Sequence, residues 1–197
     1  MQVIKNTTRA NKGFTLVEMI GVLAIIATIA GALLPRVFQA ITDSQVNSVA
    51  QSVRGLKGAV SEFYAENNSF PATDTALLAA GLLEKPFASP IGTGTYNTAT
   101  SDGLDLATLA NIDGGNFDLS GDGTTTVETP SGAEIVYVSL ANVNQADAES
   151  INEVLDGDTL DDDSDAGGAD GADELGRVIY NGSVAFPTTV YIYVAHR

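Results

Sequence analysis

The chain has no cysteine and a single histidine, and both shortages limit the disulfides and the catalytic groups that it can form. Without cysteine it cannot form disulfides, even in a compartment that would permit them. The one histidine, His196, is the next-to-last residue, so a Cys/His or Ser/His/Asp arrangement would have to be built around a chain terminus. No glycine-rich phosphate loop follows a predicted strand. The sequence therefore predicts a protein that is not an enzyme and requires no cofactor.

Basic residues are also scarce. The chain has 9 Lys and Arg against 25 Asp and Glu, a formal net charge of −16, and the segment from Pro86 to Gly176 has no Lys or Arg. Phosphate contacts need clustered basic side chains, so the composition argues against nucleic acid as a direct partner. Carboxylates at this density repel one another unless they are spread in water or hold cations.

One long apolar run stands near the amino terminus. From Phe14 to Leu34 there are 21 residues with Glu18 as the only charge, which is enough for a helix to cross a hydrocarbon core of about 30 Å. The preceding leader has basic residues and no acid, which predicts a cytoplasmic amino terminus and a single membrane span. An ionised carboxylate inside such a span costs about 2.5–3.5 kcal/mol on insertion scales, so Glu18 is expected to have a functional partner.

The residues Lys12-Gly13-Phe14-Thr15-Leu16-Val17-Glu18 resemble the processing site of type IV prepilins and of the pseudopilins of type II secretion. In that family a membrane peptidase cuts after the glycine and methylates the new amino terminus. The resemblance implies cleavage between Gly13 and Phe14, and pairing of Glu18 with the Phe14 amino terminus of a neighbouring copy. An opposite charge inside a low-dielectric helix bundle is worth far more than in water, which agrees with that pairing.

The resemblance also implies partners and a location. The chain would start in the inner membrane and be assembled with its own copies into a periplasmic or extracellular filament. The prepilin peptidase and an inner-membrane assembly machinery would act on it, and the ATPase would be a separate protein. The expected function is that of a structural subunit of a type IV pilus-like filament.

The sequence leaves three alternatives open. Many type IV pilins close their carboxy-terminal region with a disulfide, so a cysteine-free chain also fits a major pseudopilin of a type II secretion system with a calcium-stabilised outer domain. A membrane-anchored acidic binding protein that never polymerises would explain the apolar run but not Gly13 and Glu18. A secretory signal peptide cut after Ala30-Gly31-Ala32 would release a secreted enzyme or binder starting at Leu33.

Past the apolar run, hydrophobic residues recur with alternating gaps of three and four, which predicts that one helix continues to Asn67. The stripe consists of Val46, Val49, Val53, Leu56, Val60 and Phe63. A kink is expected near Gly31 and Pro35, because proline removes a donor and clashes with the preceding turn. The predicted parts are a leader (1–13), a membrane and assembly helix (14–35), its amphipathic continuation (36–67) and a globular domain (68–197).

The globular domain is predicted to begin with a short helix and loops, and its sheet signals come late in the chain. Residues 74–83 read as a short helix, 91–132 as a long irregular loop, and 144–155 as a helix capped by Asn144. Segments rich in β-branched and aromatic residues predict strands at 134–140, 177–180 and 188–194. The order predicts an α+β, pilin-like fold in which the long kinked helix packs on a small antiparallel sheet.

The densest acidic segment follows the capped helix. Asp161, Asp163 and Asp165 alternate there in the way that oxygen ligands of Ca²⁺ often do, and the major pseudopilins that the chain resembles bind calcium near their last strands. Ala166 stands where a helix-loop-helix calcium site needs glycine, so the motif is not of that kind. The sequence predicts that these three carboxylates bind Ca²⁺. The alternative is a run of charges that is only solvated.

Overall fold

The computed structural model describes residues 13–100, 117, 119, 132–157, 176–180 and 187–197. Contacts divide the chain into two compact units, with the boundary between Ile41 and Thr42. The three predicted calcium ligands, Asp161, Asp163 and Asp165, lie outside the described residues.

The first helix, α1, spans Leu16–Asn67, which is 52 residues. It continues through Pro35, so the predicted long helix is confirmed, while the kink there stays a prediction. The helix ends where Asn68 adopts a left-handed conformation with φ 50°, which is a common way to stop a helix. The Asn68 N–H still donates to the Tyr64 carbonyl at 2.8 Å and closes the last turn.

The predicted apolar stripe of α1 faces the core of the second unit. Its buried members are Val46, Val49, Ala50, Val53, Leu56, Ala59 and Val60, and Phe63 packs against the same cluster while partly exposed. Removing this surface from water is the main favourable term that holds the helix to the sheet. The stripe prediction is confirmed.

Four strands form one antiparallel sheet within the described residues, in the order β1-β2-β4-β3. They are β1 (Thr93–Thr100), β2 (Glu134–Val143), β3 (Val178–Tyr180) and β4 (Thr188–His196). The last three confirm the sequence prediction and, with α1, the α+β architecture. The interpretation of 91–132 as irregular loop is wrong for β1, because this edge strand is polar and has no buried residue, so it lacks an apolar pattern to read.

Two shorter helices complete the described elements, one before β1 and one between β2 and β3. Helix α2 spans Asp74–Ala79 and is shorter than predicted. Helix α3 spans Gln145–Leu155, and the Asn144 side chain accepts a hydrogen bond from the Asp147 N–H at 2.9 Å, as the cap prediction requires.

Both faces of the sheet carry buried side chains. Alternate residues of β2, such as Val136 and Val138, join the core that contains the α1 stripe. Their neighbours in sequence point to the other face, where Tyr137 and Tyr191 cluster with Phe117. Burial of the second face follows from the period-two alternation of a strand that is apolar at nearly every position.

The final residue joins the end of α1 to the sheet. Arg197 Nε lies 2.7 Å from Glu134 Oε2, and its Nη1 donates to the Asn68 carbonyl at 2.8 Å. The guanidinium also lies 5.9 Å from the ring centre of Tyr64 and 6.0 Å from that of Phe70. These contacts hold Arg197 against β2 and the end of α1 without a disulfide.

Candidate functional site at the start of the first helix

The Gly13–Phe14 peptide bond lies before the first turn of α1. Residues 13–15 are not helical, and the Phe14 side chain is 80% exposed. A Cβ placed on Gly13 would meet no atom within 4 Å. An enzyme can therefore approach this bond without unwinding the helix.

Thr15 and Glu18 form a reciprocal pair across the first turn. Glu18 Oε2 accepts hydrogen bonds from the Thr15 N–H and from Thr15 Oγ1, each at 2.8 Å. The Glu18 N–H donates to Thr15 Oγ1 at 3.2 Å. This is a capping box, which satisfies backbone donors that a helix start otherwise leaves free.

The capping box gives Glu18 a local role that the sequence analysis missed, and it adds Thr15 to the site. The signal was available, because Thr-x-x-Glu before an apolar run is the sequence signature of such a box. A carboxylate is also favoured at a helix amino terminus by the helix dipole. Within the described residues, both hydrogen bonds that the Glu18 side chain accepts end on Oε2. A donor from another molecule would therefore bind Oε1.

The side chains of residues 13–41 are all exposed. The large apolar ones are Phe14, Leu16, Val17, Met19, Ile20, Val22, Leu23, Ile25, Ile26, Ile29, Leu33, Leu34, Val37, Phe38 and Ile41. An apolar surface of this extent is unfavourable in water and marks a region covered by lipid or protein. By length and composition α1 can cross a membrane, a test that a signal sequence near the amino terminus would also pass.

Metal and catalytic groups are sparse in the described residues. No group of three or more His, Cys, Asp or Glu among them could hold a metal ion. His196 ends β4, and its Nδ1 lies 2.6 Å from the Tyr193 hydroxyl. The site at the start of α1 can present a cleavable bond, a capped carboxylate and an apolar surface.

One comparison with known proteins matches the segment that contains this site. Residues 8–34 match the family model described as the prokaryotic N-terminal methylation motif. The chain is 28% identical over 144 residues to the fimbrial protein EcpC of Eikenella corrodens, which covers 70% of this chain and 94% of that protein. It is 25% identical over 150 residues to the type IV major pilin protein PilE1 of Neisseria gonorrhoeae, which covers 76% and 88%. No solved structure matches the chain.

Proposed function

Because the methylation motif and the similarity to pilus proteins support the type IV prepilin family for this chain, we propose that it is the structural subunit of a type IV pilus-like filament. The observation that carries the proposal is the continuity of the site: an accessible Gly13–Phe14 bond leads directly into a helix segment whose side chains are all exposed. This similarity to fimbrial and pilin proteins also confirms the expectation that the chain is not an enzyme.

Processing is the first step of the proposed function. A prepilin peptidase cuts between Gly13 and Phe14 and methylates the new amino group. The basic leader keeps this end on the cytoplasmic side, so the unprocessed chain spans the inner membrane once. Cleavage places a cation at Phe14, immediately before the capping box.

Assembly then uses the same segment. Copies of α1 cover one another's apolar side chains when they leave the lipid, and the Glu18 carboxylate of one copy pairs with the Phe14 amino group of the next. Both charges would be costly in a dry bundle without a partner. The resulting filament is periplasmic or extracellular, and an inner-membrane machinery with a separate ATPase assembles it.

A second candidate is a major pseudopilin of a type II secretion system. Two sequence features favour it, the lack of cysteine and the acidic segment that has no Lys or Arg to balance it. In this version Asp161, Asp163 and Asp165 bind Ca²⁺ and stabilise the outer domain. The calcium site is a proposal from residue type and spacing.

The amino terminus of the mature chain tests the proposal. Mass spectrometry of the protein purified from membranes should find a chain that starts at methylated Phe14. Gly13→Leu should keep the leader attached, because a branched side chain obstructs the cut, whereas Gly21→Leu inside α1 should be processed normally. A start at Leu33 would indicate a signal peptide, and an uncut chain would indicate a plain anchor; either result would overturn the proposal.

A further inference from the structure

Three buried polar atoms belong to Asn152 and Asp156, two residues that lie one helical turn apart at the end of α3. Asn152 is only 1% exposed. Among the described residues, its Oδ1 and Nδ2 have no hydrogen-bond partner, and neither has Asp156 Oδ1. Buried polar groups are nearly always paired, and an exception usually indicates an ordered water or ion.

The backbone places the two residues on one side of the helix, one turn apart. Asp156 follows α3 directly, and its N–H donates to the Asn152 carbonyl at 2.8 Å. Residues four apart on a helix have Cβ atoms roughly 5–6 Å apart. The Asp156 carboxylate is also held in position, since its Oδ2 accepts hydrogen bonds from the Arg177 and Val178 N–H groups, each at 2.7 Å.

The chemistry of the three atoms selects the ligand. Asn152 offers a donor and an acceptor, and Asp156 Oδ1 offers an acceptor. A bare cation would leave the Asn152 N–H unused, and an anion would be repelled by the carboxylate. A water molecule has two hydrogens and accepting lone pairs, and buried waters typically make about three hydrogen bonds.

We propose that an ordered water molecule is buried between Asn152 and Asp156. The water accepts a hydrogen bond from Asn152 Nδ2. It donates one hydrogen bond to Asp156 Oδ1 and a second to Asn152 Oδ1. The water completes the hydrogen bonding of a carboxylate that ties the end of α3 to the start of β3. It is a structural ligand of the outer domain and does not depend on the proposed filament function.

Burial and hydrogen bonding shift the pKa of Asp156 in opposite directions. Burial raises the pKa of Asp156, while the hydrogen bonds from the Arg177 and Val178 backbone oppose that rise. A further donor at Oδ1 favours the ionised form in the same way. The water thus helps the carboxylate remain charged where it accepts both backbone N–H groups.

The sign of one stability change tests the proposal. Asn152→Leu in the full chain in detergent should lower the melting temperature by about 3–6 °C, because the water is lost and Asp156 Oδ1 is left unpaired. In a dry site the same change would remove two unpaired atoms and leave the melting temperature unchanged or higher, which would overturn the proposal. Asn47→Leu is the control, since Asn47 is exposed on α1 and its side chain donates to the Asp43 carbonyl of the same helix. Its effect should be smaller than that of Asn152→Leu.

A direct observation keeps the proposal testable if Asn152→Leu does not fold. A high-resolution structure of the unchanged chain should show density about 2.7–3.1 Å from Asn152 and from Asp156 Oδ1. Empty density in a map that shows other buried waters would overturn the proposal. So would a peak about 2.3–2.6 Å from both oxygens that a chelator removes, because those distances indicate a metal ion.

Discussion

At the scale of single residues, Glu18 has one observed role and one proposed role. It caps its own helix through Thr15, and it is the only charged residue between Phe14 and Leu34. The cap needs an oxygen that accepts hydrogen bonds, whereas pairing with an amino group of another copy needs a negative charge. Substitutions that keep one property and remove the other therefore distinguish the two roles.

Glu18→Gln should be cleaved normally but assemble poorly, and Glu18→Ala should assemble at least as poorly. Glutamine can keep the capping box but carries no charge, so the neighbouring amino group would enter the bundle unpaired at a cost of about 3–5 kcal/mol. Cleavage is read by mass spectrometry and assembly by counting filaments in electron micrographs. Glu62→Gln, on an exposed part of α1, is the control. If Glu18→Gln gives normal filaments, the residue acts as a cap and not as a charge partner.

At the scale of elements, two glycines have opposite surroundings. Gly92 has φ +63° before β1, and a Cβ there would collide with the Ala141 backbone carbonyl on β2. Gly55 lies in α1, and a Cβ there meets nothing within 4 Å. The first glycine is required by the entry to the strand, whereas the second leaves open space along the helix.

Gly92→Ala should lower the free energy of unfolding by about 1–3 kcal/mol, since it combines a left-handed backbone with a steric clash. Gly55→Ala should raise it by about 0.5–1 kcal/mol, because alanine is the better helix former. Urea unfolding of the full chain in detergent measures both changes. A neutral Gly92→Ala would mean that β1 does not enter the sheet in this way. A destabilising Gly55→Ala would mean that the space beside α1 is filled.

At the scale of the whole molecule, stability depends on a core without disulfides under a net charge of −16. The apolar contacts of α1 with the sheet and the contacts of Arg197 oppose the repulsion between carboxylates. An ion that binds only the folded state adds stability by mass action. The proposed calcium site therefore predicts a measurable effect on the full chain.

Calcium should raise the melting temperature of the chain, and a chelator should reverse the rise. The gain is about 2.7 kcal/mol when free calcium is a hundredfold above its dissociation constant. Sodium chloride at matched ionic strength controls for simple screening. If sodium does as much as calcium, or if Asp161→Asn with Asp163→Asn changes nothing, the acidic segment is a solvated surface and the calcium proposal fails.

The elements that the sequence by itself determined are those encoded by local patterns. The apolar run and the three-four stripe predict α1, and Asn144 predicts the start of α3. Strands β2, β3 and β4 are readable because β-branched and aromatic residues dominate them. The capping box of Thr15 and Glu18 is also encoded locally, by its Thr-x-x-Glu signature.

Only the tertiary structure decided which distant segments meet. β1 has no apolar pattern and becomes a strand by pairing with β2. Asp156 gains its two backbone donors from residues 21 and 22 positions away, and Arg197 reaches Asn68 across 129 positions. Local patterns report how a segment is buried, but hydrogen bonds between distant residues depend on how the chain returns, and that is fixed when the core packs.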